Sequence, residues 1–379
     1  MTTTEATVSD ARRIETMILN MGPQHPSTHG VLRLILELDG ERVVNARPDV
    51  GFLHSGFEKT GENRTYRQVL PYTDRLDYVS AMTHNLGYVL AVEKLLGLDP
   101  QVPLRAQYIR VIMAEFSRLA SHLIWLGSSA LDLSGVSSVV LLYCFNEREK
   151  ILNLFEAVSG QRITPSYFRI GGLVADLPEG WVDGARTFLQ EFPGQLADME
   201  RILTRNPIFM QRTVGIAVLP AAEAIAYGVT GPVLRGAGVR YDVRKAMPYS
   251  GYDRFDFEVP VGEHGDVYDR YLVRVAEMRQ SLRIISQAMQ QIKPGPVKAE
   301  VPHLIRPPAG EAYAHIEAPK GELGFYLVSD NSIAPYRCHV RPTSLINLTA
   351  LREMVKGWKV ADLIIIFGSI DITMGEVDR

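Results

Sequence analysis

The sequence predicts an α+β fold: a small N-terminal antiparallel sheet, a central helical bundle and a C-terminal mixed region. Three observations predict it. Leucines alternate with other residues over 32–38, helical periodicity dominates from about 74 to 292, and a proline-rich stretch at 293–310 precedes a tail of strands and helices.

The first strand is the apolar run 14–19. In the second, Leu32, Leu34, Leu36 and Leu38 alternate with Val31, Arg33, Ile35 and Glu37, the period of a half-buried strand. Asp39-Gly40 then signals a two-residue hairpin of type I′, and Val43-Val44 opens the return strand. In the bundle, Ile109, Ile112, Met113, Phe116, Leu119, Ala120 and Leu123 recur at three- and four-residue steps, a core-facing stripe. A second helix spans 138–158, with Gly160 placed to end it. Asp266 is the N-cap of a long helix on which Val267, Tyr271, Met278, Leu282, Ile285 and Met289 share a face. Five prolines make 293–310 an extended linker. Short strands are expected at 325–328 and 336–340, followed by helices. The chain therefore divides into 1–60, a β region with a histidine-bearing loop; 61–293, the bundle; and 294–379, the linker and an α/β region.

Composition narrows the function. A net charge of −3 with no run of Lys or Arg gives no footprint for nucleic acid. The start, MTTTEATVSDARR, lacks a basic-then-apolar signal pattern, which predicts a chain that stays in the cytoplasm. The longest apolar stretches, 139–145 and 363–367, fall far short of the roughly 18 residues that a spanning helix needs. Cys144 and Cys338 are the two cysteines. A disulfide framework, a Cys-rich zinc site and a four-thiolate cluster are excluded on that count, and both read as ordinary reduced thiols.

No nucleotide loop is present. Residues 231–238 are glycine-rich but lack the Lys-Ser/Thr of a phosphate loop and read as a turn. His25 and His29 stand four apart, the spacing of paired metal ligands on a helix, but Pro23, Pro26 and Gly30 forbid a regular helix there. Two readings stay open: exposed loop histidines, or imidazoles reaching into a cleft as proton donors. At a helix start, Asp77, Ser80 and His84 share one face, with Tyr78 about 100° round from Asp77. This is either a solvated first turn or a functional cluster.

At this point several strings carry a resemblance. MGPQHPSTHGVLRL, GFLHSGFEKTGENRTYRQ, YTDRLDY, SRLASHL, NEREKILNLFEAVSGQR, YDVRKAMPYSGY and the terminal MGEVDR closely resemble the D-subunit family of bacterial NADH–quinone oxidoreductases, over about residues 16–379. That family is related to the large subunit of nickel–iron hydrogenases. The resemblance implies a hydrogenase large-subunit-like fold in which Asp77, Ser80, Thr373 and Glu376 stand where hydrogenases place four metal-binding thiolates. Without sulfur the chain holds no metal, and the vacated cavity takes the quinone headgroup.

The resemblance also implies roles. Tyr78 hydrogen-bonds one quinone carbonyl and His29 the other, with His25 in the same loop. Asp132 pairs with His29. Arg75 and His122 lie beside the terminal iron–sulfur cluster, which a partner subunit ligates. Quinone is the substrate, while NADH and FMN bind other subunits of a complex I with peripheral and membrane arms. The complex sits on the cytoplasmic side of the bacterial membrane and couples electron transfer to proton translocation. The chemistry suits the residues, since a phenol near pKa ~10 and an imidazole near ~6.5 bracket neutral pH. His122, near a helix end expected at Gly127, would be positively charged. The same scaffold also occurs in ferredoxin- or formate-linked complexes. A hydrogenase, or a purely structural scaffold, are further alternatives; the missing thiolates oppose the former. Between 296 and 322 the chain is shorter than the family pattern.

Overall fold

The computed structural model describes residues 16–25, 30–133 and 138–379. Its N-terminal sheet is antiparallel, β1 (Met17–Met21), β2 (Arg33–Asp39) and β3 (Arg42–Asp49) in that order, with Met17 opposite Leu38 and Leu36 opposite Ala46. The leucine alternation sets its buried face: Leu32, Leu34 and Leu36 are fully buried. The hairpin differs from type I′. Gly40 has φ +57°, but Glu41 does not take a positive φ, because its Cβ disfavours that conformation. A bulge at Glu37/Leu38 takes up the register instead.

Two short helices follow, α1 (Phe57–Glu62) and α2 (Tyr66–Thr73), then α3 (Ala81–Leu96), α4 (Leu104–Leu133) and α5 (Ser138–Ser159). Every residue of the apolar stripe expected on α4 is buried. Gly160, at φ +73°, ends α5 by donating its N–H to Glu156. Gly127, expected to end a helix, lies inside α4. A Cβ there would sit 2.8 Å from Leu141, so this glycine lets α5 pack closely.

The two-residue strands β4 (Phe168–Arg169) and β5 (Gly172–Leu173) lead to α6 (Trp181–Leu203), α7 (Pro207–Gln211) and α8 (Ala221–Ala226). Next come α9 (Pro232–Gly236) and α10 (Val243–Ala246), so the glycine-rich stretch read as a turn contains one helical turn. Asp266 caps α11 (Val267–Gln291) by accepting from the Asp269 N–H.

Beyond the proline-rich stretch a second antiparallel sheet forms from β6 (Gly310–Ala318), β7 (Gly321–Ser329) and β8 (Arg337–Arg341). The short helices α12 (Thr343–Leu348), α13 (Leu351–Val355), α14 (Val360–Ile370) and α15 (Met374–Asp378) close the chain.

Two contacts position the site. Helix α3 lies on the second sheet, where Gly87 brings it so near that a Cβ would meet Phe325 at 3.1 Å; the Tyr88 and Phe325 rings meet edge-on at 5.8 Å. The C-terminal region also returns to the N-terminal sheet, with Val43 N–H donating to Trp358 O at 2.8 Å. The start of α3, the β6–β7 turn and α15 are thereby brought together.

Candidate functional site

The segment 74–80 joins α2 to α3 as a turn, and Ser80 is the N-cap of α3. Asp77 and Tyr78 therefore precede the helix. The first turn is not solvated: Asp77, Ser80 and His84 are all fully buried. An ionised carboxylate so placed needs partners. Asp77 has them, since its Oδ2 accepts from Lys320 Nζ at 2.9 Å and its Oδ1 from Thr373 Oγ1 at 3.1 Å. Lys320 also donates to Ser121 Oγ on α4 at 3.2 Å. Burial pulls the Lys320 ammonium toward neutrality, but Asp371 and Asp77 outweigh it and raise its pKa, so Lys320 is charged.

Lys320 is fixed by the backbone around it. It ends the β6–β7 turn, where Gly231 and Gly321 let two chain segments touch. A Cβ on Gly231 (φ +72°) would lie 2.4 Å from Lys320 O, and one on Gly321 (φ +137°) 2.6 Å from Thr230 Oγ1. Asn347 clamps the same pair by donating to both Thr230 O and Lys320 O.

Glu376 caps α12, accepting from the N–H groups of Thr343 at 2.6 Å and Ser344 at 3.1 Å and from Ser344 Oγ. His84 Nε2 is 3.7 Å from it. Burial would raise its pKa; His84 and Ser344 reverse this and hold it down at about 2. The Thr373 N–H donates to Ser344 Oγ at 3.2 Å, which joins Glu376 to Thr373 and so to Asp77 and Lys320. Three of the four positions that the resemblance sets against hydrogenase thiolates, Asp77, Thr373 and Glu376, thus share one hydrogen-bonded cluster. Ser80 turns to Thr83 Oγ1 at 2.9 Å, one helical turn from His84. An open vacated cavity was expected. These positions are instead packed, at most 3% exposed, around an ammonium ion.

Tyr78 points the other way and is 41% exposed. Partial burial, then Asp77, raise its phenol above the usual value while Lys320 opposes them, so the hydroxyl is a protonated donor at neutral pH. Arg75 is exposed, and its Nη1 donates to Pro71 O at 2.5 Å. His25 is partly buried, while His29 and any pairing of it with Asp132 lie outside the described residues. Asp132, exposed near the end of α4, has its pKa raised by partial desolvation and lines a small apolar cavity with Trp125, Phe209 and Ile365.

His122 requires a correction. Its ring is fully buried in mid-helix, with Nε2 2.9 Å from Glu277. Burial lowers its pKa despite Glu277, so it is not the positive group expected. It belongs to an ionic network that the sequence did not disclose. Arg235 bonds Glu277 and Glu317, each at 2.7 Å, while Glu115 receives Arg118 and Arg244.

The cysteines are inert by environment. Cys144 rests 3.8 Å from Met199 Sδ and Cys338 lies buried on β8; burial pushes both thiols up to about 12. Among the described residues no three His, Cys, Asp or Glu side chains converge as metal ligands, and no helix is long and apolar enough to cross a membrane.

Asp74, beside this site, is fully buried. Desolvation lifts its pKa from 3.8 to about 6, against the pull of Asn85, Arg75 and Arg169. A carboxyl raised in the folded state contributes full stability below pH 3.8 and loses it as pH rises through 6. Asp74→Asn should therefore stabilise the fold by up to about 3 kcal/mol more at pH 8 than at pH 4, read from urea-unfolding midpoints. An equal effect at both pH values would contradict the assignment.

Comparison with known proteins places this chain, an α+β fold with a buried polar cluster between bundle and C-terminus, in one class. The family described as the 49 kDa subunit of respiratory-chain NADH dehydrogenase matches residues 134–308 and 301–379, and the chain belongs to it: it is a subunit of complex I. Its curated relatives carry a more particular name, the D subunit of NADH-quinone oxidoreductase. The one from Geotalea uraniireducens is 53% identical, covering 96% of this chain and 99% of its own; that from Dehalococcoides mccartyi is 54% identical, covering 97% and 100%. A third, from Desulforamulus reducens, is 53% identical over 97% and 99%. The Geotalea alignment spans 390 positions and the Dehalococcoides alignment 369, so this chain's shorter length is shared with the latter relative.

Proposed function

We propose that this chain and a neighbouring iron–sulfur subunit together form the site at which complex I reduces quinone. Electrons come from NADH through FMN and iron–sulfur clusters on other subunits, and the reaction drives proton translocation. The carrying observation is Tyr78, a half-exposed phenol donor set beside the buried Asp77–Lys320 pair.

Reduction of quinone to quinol takes two electrons and two protons, so negative charge develops at both carbonyl oxygens. Tyr78 donates at one of them, and the fixed Lys320 ammonium behind it lowers the energy of that charge without reorganisation. His29 donates at the other and Asp132 orients it; His25 belongs to the same loop. Loss of the His29 proton then frees Asp132, a first step toward pumping. Arg75, a surface cation on the face turned to the iron–sulfur subunit, raises the potential of the terminal cluster. The chain sits peripherally on the cytoplasmic side of the bacterial membrane, held by membrane-arm subunits.

His29→Ala in the assembled complex tests this reading. Quinone reduction should fall about 100-fold, the worth of a positioned proton donor. Electron transfer to an artificial acceptor that draws upstream should hold. Unchanged quinone reduction would reduce the chain to a scaffold.

A further inference from the structure

Near Arg75 three cationic side chains, Arg67 of α2, Arg169 of β4 and Lys298 of the proline-rich stretch, line one cavity of about 290 Å³ together with Pro71 and Ser166. None of the three forms an ion pair among the described residues. Elsewhere in the fold Arg110, Arg118, Arg235 and Arg244 each meet a carboxylate. The two arginines here are held by neutral acceptors instead. Arg67 Nη2 donates to Pro302 O at 2.8 Å, and Arg169 Nη1 donates to Ser166 O and Phe168 O, both at 2.7 Å. These bonds fix the guanidinium groups without pairing either of them to a carboxylate. Asp74 faces Arg169 electrostatically, but it is buried and does not line the cavity. Like charges gathered in a half-enclosed space repel, although Arg67 and Lys298 face solvent and only Arg169 is partly buried. An entering oxyanion turns that cost into attraction, and a carboxylate fits the planar donor edges of arginine.

The cavity also lies on a defined face. Pro71, at its rim, accepts the hydrogen bond of Arg75. We infer that the Arg67–Arg169–Lys298 cavity is a docking socket for an acidic side chain of the neighbouring iron–sulfur subunit. This rests on the proposed function, which turns Arg75 toward that subunit.

The test uses the assembled complex carrying Arg67→Glu and Lys298→Glu together, with Arg67→Gln and Lys298→Gln as the uncharged control. The tagged chain is held on a support, and the rate at which the iron–sulfur subunit is lost is followed at low and high potassium chloride. Thermal melting of the isolated variant chain checks folding, since neither side chain is in the buried core. In the wild type, loss should quicken as salt rises. The reversed variant should lose the subunit about tenfold faster at low salt, with little further change on adding salt, and the uncharged control should fall between. Inorganic phosphate at low salt should hasten loss from the wild type and not from the reversed variant. Equal rates for all three chains would overturn the socket, as would phosphate binding the cavity without altering subunit loss. A wild-type chain that holds no iron–sulfur subunit at all would instead overturn the underlying functional reading.

Discussion

Replacing Tyr78 with phenylalanine is expected to cut quinone reduction by the assembled complex about 100- to 1,000-fold, the usual cost of one donor to a developing oxyanion. Electron transfer to an upstream artificial acceptor should be unchanged. The change removes one oxygen from a side chain that is 41% exposed, so it leaves no hole in the core. Asp77 and Lys320 keep their 2.9 Å contact in the variant, because neither depends on the phenol. A loss shared equally by both acceptors would point to failed assembly, and full quinone activity would remove Tyr78 from the mechanism.

The second large effect concerns stability. Arg235→Met should destabilise the isolated chain by about 3–5 kcal/mol, because it leaves buried charges without their partner. Arg235 bonds Glu277 and Glu317 and lies 3.7 Å from Asp242, with all four side chains fully buried. Burial alone would raise the Glu277 pKa, yet Arg235 and then His122 hold it well below the usual range, so the carboxylate is ionised in the fold. Adding Glu277→Gln and Glu317→Gln to Arg235→Met should recover part of the loss, since uncharged groups of similar volume cost less to bury. Chemical denaturation of the four chains decides this. Further loss on each addition would show that these side chains contribute by packing alone.

Much of the fold was legible because its signals are local. The leucine alternation of β2, the apolar stripe of α4 and the Asp266 cap each sit within a few residues, and each is found as expected. Strand β6 was missed because its inward positions are Ala312, Ala314, Ile316 and Ala318, small residues that give a weak hydrophobic period beside a run of prolines. Gly127 was misread for a related reason. A glycine that admits a neighbouring helix looks in sequence like one that ends its own.

The site divides in the same way. Asp77, Tyr78, Ser80 and His84 stood out as polar residues at an apolar helix start. What completes their cluster comes from afar: Lys320 lies 243 residues from Asp77, and Thr373 lies 296. A lone lysine after an apolar strand gives no hint of a buried ion pair. Glu115, Arg118 and His122 could have been noticed, as charged and polar groups at helical spacing within an apolar stripe. The sequence alone placed His122 near a helix end at Gly127, whereas α4 runs on to Leu133.

The most direct measurement is photolabelling of the assembled complex with a quinone that carries a photoreactive headgroup, followed by peptide mapping. The label should fall on the peptide containing Tyr78 and on that containing His29, and excess unlabelled quinone should prevent both. Protectable labelling confined to a surface remote from Asp77 and Lys320 would show that quinone is reduced elsewhere.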